Sequence, residues 1–194
     1  MAPGASPWGH LPAVQGRRTR DSNTFRWHDG AMKINETFSY EGATVESAYA
    51  IITDQAFRTE ACAEQGALDY SVTVEPNEGG GDTVTVIRTT PADMPDFMKK
   101  LTGDTVKVKQ TEEWAGPDSG GHRNANVKVS IIGQPAEMKG TAVIMNAGDN
   151  ASFTLDGEVK VSIPFIGKKI EPEVAKAILG SLRSEVALGT KKLS

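Results

Sequence analysis

Apolar side chains recur at every second position in six successive runs between residues 68 and 163, and beyond Gly167 the period lengthens to about 3.6. That change of period constrains the fold more than any other feature. A period of two is that of a strand with one buried face, and a period of 3.6 is that of a helix with one buried stripe. The last strand run shows it best: Phe153, Leu155, Val159, Val161 and Ile163 share one face, while Thr154, Asp156, Glu158, Lys160 and Ser162 share the other.

The six runs cover 68–75, 83–90, 105–114, 123–132, 137–145 and 152–163. Turn-forming residues at 76–81, 116–121, 133–135 and 148–150 separate most of them. Connections this short favour antiparallel neighbours, so the sheet is expected to be a meander. Ile170, Val174, Ile178, Leu182 and Val186 then stand four apart, which predicts a long amphipathic helix with Pro172 in its first turn and Gly189 at its end. A sheet with one apolar face needs a cover, and this helix supplies it.

Ahead of the meander, Ile34, Phe38 and Tyr40 alternate as a first strand interrupted by Glu36. Thr44 is a suitable N-cap for a helix presenting Val45, Ala48, Tyr49 and Ile52, and a second short helix over 54–65 places Phe57 and Ala61 inward. Residues 1–31 hold Pro3, Pro7 and Pro12 with scattered aromatics and no period, so they are expected to form a disordered extension to a domain over 32–194.

A strand, two short helices, a meander and a long terminal helix are the order of the helix-grip fold. The chain resembles an uncharacterised bacterial domain family of the START-like superfamily, which also holds polyketide cyclases, pollen-allergen proteins and lipid-transfer domains. The residues carrying the resemblance are Asp54 with Phe57, the stretch 88–93 (Arg-Thr-Thr-Pro-Ala-Asp), 110–114 (Gln-Thr-Glu-Glu-Trp) and 163–171 (Ile-Pro-Phe-Ile-Gly-Lys-Lys-Ile-Glu). It implies an α+β fold, a curved antiparallel sheet of about seven strands around the C-terminal helix, with an internal cavity. It brings no catalytic residues with it.

Charge narrows the partners. The net charge is -4, yet Arg17, Arg18, Arg20 and Arg26 against Asp21 and Asp29 make the first 31 residues +2, which leaves -6 for the remainder. An acidic body without a basic stripe argues against nucleic acid and against anionic lipid, both of which select basic surfaces. No apolar run approaches the roughly 18 residues of a membrane span, so no stable membrane insertion is expected. Cys62, the only cysteine, excludes an intramolecular disulfide and fits a reducing cytoplasm with a buried, inert thiol.

The sequence shows no zinc-spaced His/Cys cluster, no nucleophile elbow and no phosphate-binding glycine loop, so no metal or cofactor is expected. His122, beside Gly120 and Gly121, reads as a solvated turn residue. The candidate ligand-binding residues follow from strand parity and helical spacing. Arg88 shares parity with Val84 and Val86, and Glu112 with Val106 and Val108, so both point inward, where an Arg and a Glu have to pair. Such a pair either anchors a ligand's polar end or ties the sheet rim.

Val129, Leu155 and Ile178 are candidate cavity walls. Met94, Phe97 and Met98, with Leu101, share one face of a short helix between two strands, suited to closing the cavity mouth or to capping the core. Tyr70 and Trp114 either pack in the core or flank the ligand. Three functions are compatible with this pattern. They are carriage of a hydrophobic small molecule such as a lipid, isoprenoid or polyketide, a cyclase or dehydratase acting on one through Arg88, Glu112 and Tyr70, and protein interaction through the exposed sheet face.

Overall fold

The computed structural model describes residues 31–92, 99–100 and 103–193. The 1–30 segment and the expected helix of Met94, Phe97 and Met98 lie outside the described residues. The elements are β1 (Met32–Tyr40), α1 (Val45–Ile52), α2 (Gln55–Glu64), β2 (Asp69–Pro76), β3 (Asp82–Pro91), β4 (Thr105–Trp114), β5 (Arg123–Ile131), β6 (Ala136–Ala147), β7 (Asn150–Val161) and α3 (Gly167–Leu193). The strands form one antiparallel sheet in the order β1-β7-β6-β5-β4-β3-β2, so consecutive strands from β2 to β7 are neighbours and β1 joins the far edge beside β7.

Local chemistry sets the short helices. Thr44 Oγ1 accepts from Ser47 N at 3.1 Å and Ser47 Oγ accepts from Thr44 N at 2.9 Å, a capping box that opens α1. Asp54 Oδ1 accepts from Phe57 N at 2.6 Å and opens α2. The two helices pack on each other and against the side of α3.

Two glycines stand in the middle of the long strands β6 and β7. Gly140 and Gly157 face one another across the ladder, and a Cβ on Gly140 would collide with the Asp156 carbonyl. A glycine pair in mid-strand removes side-chain bulk where two backbones crowd, which permits a sharp bend. The inner face between them and α3 carries the core, including Tyr40, Trp114, Met138, Ile144 and Val159.

Two expectations for α3 need correction. The helix begins at Gly167, so Pro172 stands inside it beyond the first turn. Packing enforces that start: a Cβ on Gly167 would collide with the Val161 carbonyl, and the buried Glu171 accepts from Val161 N at 3.2 Å, which ties the helix to the end of β7. Gly189 does not end the helix, which runs on to Leu193. It is buried, and a Cβ there would lie 2.8 Å from Tyr40 Cε1, so the glycine marks a close approach of α3 to β1. Glu36, which interrupts the apolar set of β1, accepts from Arg183 Nη2 of α3 at 2.6 Å.

Candidate functional site

Because α3 runs along β1 and β7, no helix among the described elements packs closely on the inner face of β3, β4 and β5. A cavity of about 400 Å³ fills that space, within the range of roughly 300–1,000 Å³ usual for small-molecule sites. Its apolar wall comes from Val106, Val108, Val129 and Leu155 on the sheet and from Val174 and Ile178 on the helix. The inward positions of period-two strands and the stripe of a period-3.6 helix therefore meet there, as their spacing requires. Ile178 and Leu182 are only partly buried, unlike Ile170, Val174 and Val186 on the same stripe.

One end of the cavity is polar, and its organisation departs from the expected Arg88–Glu112 pair. Glu112 pairs with Arg58 of α2, and Arg58 also pairs with Glu185 of α3. Arg58 is 2 % exposed, Glu112 4 % and Glu185 6 %, so the three charges sit together in the interior. Glu112 is further held by Gln110 Nε2 at 2.6 Å and by Trp114 Nε1 at 2.9 Å. Both of its oxygens are therefore engaged, Oε1 by Arg58 and Gln110 and Oε2 by Trp114.

Burial works against the Arg58 charge, but the carboxylates of Glu112 and Glu185 outweigh it and hold the guanidinium above its ordinary range. Glu185 is pushed up by burial, with Arg58 pulling the other way. The same burial, reinforced by Glu185, raises the neighbouring Tyr40 phenol. One donor of the cluster, Arg58 Nε, is buried with no hydrogen-bond partner.

Arg88 stands on the cavity wall and is 9 % exposed. Its Nη2 donates to Ser181 Oγ of α3 at 2.8 Å, and Ser181 Oγ donates onward to Gln65 Oε1 at 2.6 Å. Gln65, which follows α2 as its C-cap, also donates through Nε2 to the Ser181 carbonyl at 3.3 Å. Arg88 is therefore oriented by two helices. Glu112 pairs elsewhere because α2 delivers Arg58 between β4 and α3.

Of the other candidates, Val129, Leu155, Ile178, Arg88 and Glu112 all line the cavity. Trp114 is buried behind it, packed edge-on against Tyr49 with centroids 5.9 Å apart, and reaches the site only through Glu112. Tyr70 shares a face with Val72 as parity requires, but at the sheet's edge it is exposed and lies on a shallow groove against α2, away from the cavity. His122 lies in its turn, with Nδ1 3.4 Å from Asp118. Cys62 is buried near Arg88 and Arg58, and burial raises its thiol above the ordinary value.

Arg58 and Glu185 are absent from the residues that sequence reasoning selects, although a signal for them exists. Arg58 falls beside Phe57 on the stripe continued by Ala61 and Cys62, and Glu185 stands three residues after Leu182 and next to Val186. A charge inside an apolar stripe needs a buried partner.

Among the described residues no helix is long and apolar enough to cross a membrane, and no group of three or more His, Cys, Asp or Glu side chains is placed to hold a metal ion.

Comparison with solved structures places the fold. A protein from Thermus thermophilus superposes with a TM-score of 0.56 at 15 % identity, covering 84 % of this chain and 97 % of that one. A START superfamily protein from Mycobacterium smegmatis superposes with a TM-score of 0.52 at 14 % identity, covering 85 % of this chain and all of its own. The fold is thus the helix-grip arrangement of START-like proteins. In sequence, an uncharacterised protein of Mycobacterium tuberculosis is 30 % identical over 97 residues, which are 49 % of this chain and 55 % of the relative. The chain spans about half the length of the curated relatives it matches. Residues 35–193 match the profile of a family described as protein of unknown function DUF2505, and the chain belongs to that family.

Proposed function

We propose that this protein binds a small hydrophobic molecule, of the size of a lipid chain, an isoprenoid or a polyketide, between β3–β5 and α3. The observation that carries the reading is the cavity itself. Interiors normally pack to the density of organic crystals with few voids larger than a water molecule, yet about 400 Å³ stays open here behind walls that are mostly apolar. A cleft of that size with mostly apolar walls and a few polar groups is the usual form of a small-molecule site.

Native mass spectrometry of gently purified protein, followed by organic extraction, tests this. A stoichiometric apolar adduct is expected. A bare protein that also ignores neutral apolar dyes would shift the reading to protein interaction through the outer sheet face.

One observation favours a second reading, an enzyme acting on such a molecule. Glu185 lines the cavity and burial favours its neutral, proton-carrying form, a property of general acids. Conversion of a bound ligand that is abolished in Glu185→Gln with binding retained would establish it, and unchanged conversion in that variant would remove Glu185 from the chemistry.

A further inference from the structure

The polar end of the cavity is not symmetric in what it offers a ligand. Both oxygens of Glu112 are occupied by donors of this chain, from Arg58, Gln110 and Trp114. Glu185 is tied to the same Arg58. The carboxylates are therefore answered internally. Arg88 is placed differently: it projects from β3 onto the cavity wall, across the ladder from Val108, and the neighbouring wall is Val106, Val129 and Ile178.

Among the described residues it is held by neutral groups, the Cys62 thiol and the Ser181 hydroxyl, whose own proton goes to Gln65. That chain leaves Ser181 as the acceptor toward Arg88 and sets the plane of the guanidinium from α3 and α2 together. A guanidinium carries five N–H donors in a rigid fork and no acceptor, and the fork matches a carboxylate in bidentate geometry.

Resting on the reading that the cavity takes a hydrophobic ligand, we propose that the ligand is an amphipath whose apolar body ends in a carboxylate, seated on Arg88 with the chain lying along Val108, Val129 and Ile178. Glu185 opposes an incoming anion only weakly, because it is paired with Arg58. A cationic end group is disfavoured, since the oxygens that would receive it on Glu112 are already taken.

The test uses the full chain loaded with Nile red, a neutral apolar dye, at neutral pH. Dodecanoic acid, dodecanol and dodecylamine, which share one apolar body, compete for the dye in wild type and in Arg88→Gln. The acid is expected to displace dye about ten- to a hundredfold more strongly than the alcohol, the scale of a charge-assisted hydrogen-bonded pair. In Arg88→Gln the advantage of the acid over the alcohol disappears, and circular dichroism shows that the variant folds. Equal displacement by acid and alcohol, preference for the amine, or an acid preference that survives Arg88→Gln overturns the carboxylate assignment and leaves the cavity reading standing. Failure of Nile red to bind wild type at all overturns the cavity reading and the assignment with it.

Discussion

Replacing Arg58 with Met removes the cation that holds Glu112 and Glu185 together in the interior. Breaking a buried pair by deleting one partner costs about 3–5 kcal/mol, because a charge is left without compensation. Two features of this cluster reduce that figure. Glu112 keeps its bonds from Gln110 and Trp114, so Glu185 is the carboxylate left bare. Arg58 Nε is a buried donor without a partner, and its removal returns about 1 kcal/mol, the lower end of the cost of such a group. The net loss at pH 7 is therefore about 2–4 kcal/mol.

The loss carries a pH signature. Burial raises the Glu185 carboxyl above its ordinary value of 4.5, and without Arg58 only Arg88 is left to pull it back, against Glu112. A carboxyl whose folded value is raised contributes stability that is present below its unfolded value and is lost as pH rises through the folded one. The deficit of Arg58→Met should accordingly shrink by about 1–2 kcal/mol between pH 7 and pH 5, since one proton is worth about 1.4 kcal/mol per pH unit. Adding Glu185→Gln should remove most of that dependence. Urea unfolding at both pH values measures it. A deficit under about 1 kcal/mol at pH 7, or one that does not change with pH, would refute the reasoning.

Other substitutions test neighbouring parts of the account by thermal or urea unfolding. Gly180→Ala should stabilise by about 0.5–1 kcal/mol, because Gly180 is exposed in mid-helix with open space where a Cβ would go. Gly189→Ala should instead destabilise by about 1–3 kcal/mol, since its Cβ would press on Tyr40. Arg183→Ala, which breaks the partly exposed pair with Glu36, should change stability by less than about 1 kcal/mol, and by less still in high salt.

The period-two runs and the terminal helix were legible because burial on one face imposes a spacing on the sequence. Val129, Leu155 and Ile178 could be placed on the cavity side for the same reason, although spacing does not distinguish a wall from a filled core. Ile178 shows this, since it sits on the same stripe as Val174 and lines the same cavity, yet is only partly buried. The pairing of Arg88 with Glu112 failed for a different reason. Parity showed that both point inward, but a charge pairs with whatever the third dimension brings nearest, and α2 brings Arg58. Gly189 misled because one glycine serves equally at a helix end and at a close approach between elements.

A titration of Nile red into wild type and Val129→Trp tests the central claim most directly. Val129 lines the cavity opposite α3, so an indole there occupies the ligand's space. Saturable one-to-one binding in wild type, lost in a Val129→Trp variant that retains its fold by circular dichroism, is the predicted result. Binding of equal strength in both proteins, or none in either, would contradict the account.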